Sequence, residues 1–430
     1  MYCNQCEQTA KGVACTVKGV CGKDQDIQSL QETLLYGLKG ISAYAYHARV
    51  LGKRDEEVDA FVHEALFKTL TNVDFSPEDM WSTVLKAGMM NLRIMETLDQ
   101  AHLEHFGQPT PAKVETSTRK GPGIVVTGHD LLDLEELLKQ TEGTGINVYT
   151  HGEMLPAHAY PALRKYSHLA GNYGGAWQKQ RKEFAEFGGP ILATTNCVLI
   201  PPDTYKDRLY TTGPTAVPGA KHLEDRKDFS QIIAKAKELG DIPAKTGPVL
   251  ETGFHHNAIM PLAPKIIDAV KAGKISHFFL IGGCDGATPG RNYYTELAEK
   301  VPKDAVILTL ACGKYRFNDK DFGNIDGIPR LLDMGQCNNA YSAIQLAVAL
   351  SKAFGVGVNE LPLSMALSWF EQKAVAIVLT LLALDIKNVR VGPTLPAFIT
   401  PNNWKVIQDK FNWKPVGNVD ADLAAMMANK

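Results

Sequence analysis

The sequence predicts an α plus α/β multidomain fold: an N-terminal three-helix bundle followed by two Rossmann-like α/β domains with mainly parallel sheets. Three observations carry this. Apolar residues recur at spacings of three and four through the first hundred positions. Beyond position 123, short apolar runs alternate with helical segments. A polar stretch rich in Pro and Gly, "GQPTPAKVETSTRKGPG" (107–123), separates the two patterns and reads as a linker.

Taken in order, Leu30, Leu34, Leu38, Ile41 and Ala45 form the apolar face of a first helix, and Val58, Val62, Leu66 and Leu70 that of a second. A third starts at "SPED", where Ser76 can cap, Pro77 suits the first turn and Asp79 favours the helix dipole; it continues through Val84, Gly88, Leu92 and Met95. The runs "GIVVTGH", "INVYTHGE", "PILATTNC", "HFFLIGGC", "AVILTLAC" and "RLLDMGQC" read as buried strands. A second boundary falls at "GDIPAKTGP" (240–248), so the expected domains are 1–110, 120–240 and 241–430.

The formal net charge of −2 gives no reason to expect a nucleic-acid or membrane-surface partner. The start is polar and cysteine-rich, unlike a secretory signal, and "AVAIVLTLLAL" is too short to span a bilayer, so the expected location is cytoplasmic. Disulfides are a poor use for eight cysteines in that compartment, which leaves metal or redox roles. There is no GxxxxGKS/T loop, HExxH or GxSxG. The HxE of "HGE" is shared with zinc deaminases, but their PCxxC is missing. "GGCDG" is not a dinucleotide fingerprint.

Each of the six runs ends in a residue that binds metals well: His129, Glu153, Cys197, Cys284, Cys312 and Cys337. Ligands of open α/β sheets bind just beyond the carboxyl ends of the strands, so these residues could converge. Any one of them alone would read as an ordinary buried residue. Six at the same kind of position make that the weaker account. In "SWFEQKAVAIVLTLLAL", a helix apolar on nearly all sides, Glu371 and Lys373 stand at the start, two residues apart and so on different helix faces. A metal would partner a buried Glu371, while an exposed first turn would need none.

The chain opens "MYCNQCEQTAKGVACTVKGVCGKD", with Cys3, Cys6, Cys15 and Cys21 spaced C-x2-C-x8-C-x5-C. Four thiolates hold either a structural zinc or an iron–sulfur cluster, and the split second pair leans toward the cluster.

These motifs resemble the hybrid-cluster (prismane, hydroxylamine reductase) proteins along essentially the whole chain. The matching stretches are "TGHDLLDLE", "THGEMLPAHAYP", "GNYGGAW", "TTNCVLIPP", "GGCDG", "CGKYRFN", "GQCNNAYSA" and "LSWFEQKAVAIVLTLL". The resemblance implies a 4Fe-4S cluster on Cys3, Cys6, Cys15 and Cys21. It implies a hybrid 4Fe-2O-2S cluster between the domains, on His129, Glu153, Cys197, Cys284, Cys312, Cys337 and Glu371. Cys284 matches the cysteine found as a persulfide, and Lys373 the lysine beside the cluster. Glu153, Glu371 and Lys373 are the expected catalytic residues, with Lys373 the proton donor if burial lowers its pKa.

The chain looks like the shorter class, which lacks a second helical bundle. The implied activity is reduction of hydroxylamine to ammonia and water, with electrons entering at the N-terminal cluster from a separate ferredoxin-like protein or NADH-dependent reductase. Reduction of nitric oxide to nitrous oxide in nitrosative stress defence, and transfer of nitrosyl groups to protein thiols, are the alternatives. Nickel carbon monoxide dehydrogenase shares the fold, but two carboxylate ligands and the shorter chain argue against that activity.

Overall fold

A computed structural model describes residues 1–226, 228–285 and 290–428. The chain divides into two compact units, Met1–Ala101 with Gly355–Lys430, and His102–Phe354.

In the first unit, helix α1 (Gln25–Val50) starts at Asp24, whose carboxylate accepts the Ile27 N–H at 2.8 Å. Its face Leu30, Leu34, Leu38 and Ile41 is buried, and the stripe continues through Tyr44 and Ala48, with Ala45 only half-buried. Helix α2 (Glu56–Lys68) buries a different face from the expected one. Val58, Phe61 and Ala65 are inside, while Leu66 and Leu70 are 40% and 52% exposed. Steps of four overshoot a 3.6-residue turn, so the expected line drifts around the helix, and Leu70 lies past its end. Helix α3 (Pro77–Phe106) begins where Ser76 Oγ accepts the Asp79 N–H at 3.2 Å.

The apolar helix Gln372–Ala383 belongs to the same unit. It meets α1 and α3 at main-chain distance. A Cβ on Gly40 would lie 2.6 Å from the Gln372 carbonyl oxygen, and one on Gly88 only 2.1 Å from that of Leu379. Thr380 Oγ1 donates to the Gly88 carbonyl at 2.8 Å and accepts from Asn91 Nδ2 at 3.0 Å.

The second unit starts with strand β1 (Ala112–Glu115), inside the expected linker, and continues with β2 (Gly123–Thr127), β3 (Asn147–His151), β4 (Leu169–Asn172), β5 (Ile191–Ala193), β6 (Leu209–Thr212), β7 (Lys221–Leu223) and β8 (Val249–Thr252). Strands β2 to β7 form one parallel sheet in the order β4-β3-β2-β5-β6-β7. β2 is buried at every position, as a parallel strand covered on both faces must be. Strands β9 (His277–Gly283), β10 (Ala305–Thr309) and Leu331–Asp333 run parallel to one another. The two polar stretches read as boundaries pair with each other. β1 is antiparallel to β8, Thr116 Oγ1 donates to the Pro248 carbonyl at 2.6 Å, and the Thr118 N–H donates to the Lys245 carbonyl at 2.9 Å. Among the described residues no helix is long and apolar enough to cross a membrane.

Candidate metal centre

Because β2, β3 and β5 are parallel, as are β9, β10 and Leu331–Asp333, the residues that follow each strand leave their sheet at the same edge. His129 follows β2 through Gly128, whose φ of +116° and closeness to Thr194 (a Cβ would sit 2.3 Å from Oγ1) leave no room for a side chain. The buried His129 ring places Nδ1 2.8 Å from Thr195 Oγ1 and Nε2 3.5 Å from Glu153 Oε2. A proton on Nδ1 shared with Thr195 leaves the Nε2 lone pair for a ligand role.

Glu153, in the turn Gly152–Ala159 after β3, is 3% exposed. Its Oε2 accepts the Cys337 N–H at 2.8 Å, and its Oε1 has no hydrogen-bond partner. Burial pushes this carboxyl up, but His129, Lys314 and the Cys337 N–H outweigh burial and hold it below the usual carboxylate range. His129, Glu153 and Cys337 each offer a donor atom within 4.8 Å of the other two. Gln336 cross-links their turns, since its Nε2 donates to the carbonyls of Glu153 at 2.8 Å and His129 at 3.2 Å.

Cys312 is buried in the turn after β10. Burial pushes its thiol well up, and the charges of Glu153, Cys197 and Cys284 add to the effect, so all four groups are electrostatic neighbours. Tyr315, from the same turn, donates its hydroxyl proton to the Gly152 carbonyl at 2.8 Å, next to Glu153. Cys284 is buried just past β9, and Cys197 is half-buried, its carbonyl accepting from Gln180 Nε2 at 2.7 Å. Thus the structure gathers all six strand-end residues in the second unit.

Glu371 and Lys373 belong to the first unit. Both are buried, 7% and 1% exposed, so the exposed-first-turn alternative fails. Glu371 is the extended N-cap residue, and Lys373 Nζ lies 3.8 Å from its Oε1. The helix-face rule behind the expectation that they do not pair applies only inside a helix, and Glu371 is outside it.

No two of the eight cysteines are joined. Cys3 and Cys15 face each other across a two-residue antiparallel bridge, with N–H to carbonyl distances of 3.1 and 2.8 Å. The Ala10 N–H points at Cys15 Sγ at 3.4 Å and Lys23 Nζ at Cys3 Sγ at 3.5 Å. N–H groups of Ala10 and Val20 pull the Cys15 thiol below its ordinary value. Donors aimed at sulfur favour thiolates, the form that binds iron or zinc.

Sequence reasoning passed over Thr195, Gln336 and Lys314. All three sit inside the quoted motifs, beside a ligand candidate, and that adjacency was the available signal.

The donor set of the second unit is chemically mixed: soft thiolates, one imidazole and a carboxylate with an unpartnered oxygen, all in low-dielectric surroundings. Such a set fits iron bound partly by sulfur and partly by oxygen.

A family model described as the Prismane/CO dehydrogenase family matches residues 1–80 and 24–424. A hydroxylamine reductase of Moorella thermoacetica is 66% identical over 427 residues, covering 99% of this chain and 100% of that one. One of Thermotoga maritima is 53% identical, covering 99% of both chains. One of Geobacter metallireducens is 47% identical over 549 aligned positions, again covering 99% of both, so it carries residues this chain lacks. Carbon monoxide dehydrogenase IV from Carboxydothermus hydrogenoformans superposes with a TM-score of 0.81 over 99% of this chain and 92% of that one. At 15% identity the likeness shows a shared fold of helices and parallel α/β sheets.

Proposed function

The chain belongs to the prismane/CO dehydrogenase family, and from that premise we propose that it is an iron–sulfur oxidoreductase reducing hydroxylamine to ammonia and water. The observation that carries the reading is the mixed donor set of buried His129, Glu153, Cys284, Cys312 and Cys337 with half-buried Cys197. With Glu371 these residues would hold a 4Fe-2O-2S hybrid cluster, Cys284 as a persulfide, and Cys3, Cys6, Cys15 and Cys21 a 4Fe-4S cluster. Such a group supplies electrons and an iron site able to take an oxidised nitrogen species.

The protein's own part is binding, orientation and protons. Thr195 orients His129, while Gln336 and the Cys337 N–H fix Glu153. Hydroxylamine reduction consumes two electrons and two protons. Lys373, buried at the head of an apolar helix beside Glu371, is the proposed proton donor. Electrons come from a separate donor protein.

The test is anaerobic, dye-driven ammonia formation from hydroxylamine by iron-loaded protein, with nitric oxide turnover measured on the same preparation. Glu153→Gln should retain sulfur-bound iron but lose reductase activity, because a carboxamide is a poor ligand for oxygen-bound iron. Wild-type turnover and spectrum in that variant would remove Glu153 from the site. Faster turnover of nitric oxide than of hydroxylamine would favour the other substrate.

A further inference from the structure

Lys314 has no exposed surface, and the chemistry above gives it no part. It lies two residues after Cys312 in the turn Cys312–Arg316. Its Nζ donates to Asp333 Oδ1 at 2.5 Å and to the Gly335 carbonyl at 2.8 Å, two groups on the segment that leads to Cys337. Asp333 Oδ1 also accepts the Gly335 N–H at 3.0 Å. The same Gly335 carbonyl accepts the N–H of Ala311, 3.0 Å away. Ala311 immediately precedes Cys312 and sits at φ 63°, ψ −166°, a backbone region that alanine occupies only when its surroundings hold it there.

A buried lysine–aspartate pair is a weak source of stability, since two apolar groups of similar volume often serve as well. What this pair does that apolar groups would not is fix geometry, through directed hydrogen bonds to two points of one segment. We propose that Lys314 is a positioning residue of the metal centre. It ties the turn bearing Cys312 to the turn bearing Cys337 and so fixes the separation of those two thiols. The inference rests on the reading of Cys312 and Cys337 as ligands.

The experiment uses iron-loaded protein carrying Lys314→Met with Asp333→Asn, so that no unpaired carboxylate stays buried. EPR spectra of the reduced protein are recorded, with the N-terminal cluster as internal reference, and iron loss to a chelator is timed. The signal of the deep centre should broaden as its thiol positions become less uniform, and iron should leave it about tenfold faster, the lower end of what losing an outer hydrogen-bond partner does to metal affinity. The reference signal should not change. Should the double variant fold poorly, adding Ala311→Gly relaxes the turn and the same spectra and iron loss are read on that protein. A wild-type deep-centre signal with wild-type iron retention would overturn the proposal and leave Lys314 a packing residue. Full iron content in Cys312→Ala would instead overturn the ligand reading on which it rests.

Discussion

In the N-terminal loop, four donors of one kind come from nineteen consecutive residues, held by a short antiparallel bridge and by N–H groups aimed at sulfur. In the second unit, six donors of three kinds come from six strands spread between His129 and Cys337, and hydrogen bonds from Gln336, Tyr315 and the Cys337 N–H hold their turns in place. The loop is a property of local chain, and its four donors can be read from their spacing. The deep site is a property of topology, existing only once two parallel sheets have formed with their carboxyl ends on one side each. Uniform thiolates suit a centre that only passes electrons, whereas a carboxylate oxygen with no hydrogen-bond partner suits one that does chemistry.

The contrast predicts that one site can be lost without the other. Cys6→Ala should abolish iron binding by the N-terminal cysteines and donor-driven turnover while leaving most of the iron of the deep site, checked by iron content and anaerobic spectra. Loss of all iron from a folded variant would break the comparison.

A smaller effect tests which group delivers protons. Lys373→Met keeps length and apolar packing and removes the ammonium. Both clusters should assemble, and hydroxylamine turnover should fall by the ~10²–10⁴ typical of a lost general acid, with KM changing less. Near wild-type turnover at full iron content would assign the proton to water or to another residue.

The smallest effect concerns stability and belongs to the deep unit alone. His158, in the same turn as Glu153, has its pKa lowered from 6.5 to about 4 because burial disfavours the imidazolium. The unfolded chain therefore binds this proton more readily. Stability from neutral His158 is full above pH 6.5 and is lost as pH falls from there toward 4, on the order of 3 kcal/mol in all. Thermal melts across that window should show the decline, and His158→Gln should flatten it. An equally steep decline in the variant would place the acid-sensitive group elsewhere.

The strand-end donors were legible because a parallel strand buried on both faces leaves a continuous apolar run, and the residue after it stands out. The cap of α3 is written in a single residue, Ser76. Other features had no local signature. The face of α2 depends on which of several apolar residues finds a partner, and Phe61 won over Leu66. The pairing of 112–115 with 249–252 joins part of the stretch read as a linker to a segment just past the 240–248 boundary, and neither carried a strand expectation. Nothing in "CGKYRFN" announces that Asp333 and the Gly335 carbonyl await Lys314.

Where α1 and α3 meet the helix Gln372–Ala383, glycine brings peptide groups into direct contact, with no side chain between them to rotate or yield. Most helix pairs slide a little, because interlocking side chains can change rotamer. This one is held main chain to main chain at Gln372 and again at Leu379, which leaves it little room to shift. The ammonium of Lys373 thus rides on a post whose play is set by covalent geometry. Whatever Lys373 does is done from a fixed mount, and amide hydrogens along that helix should be among the slowest in the protein to exchange with solvent.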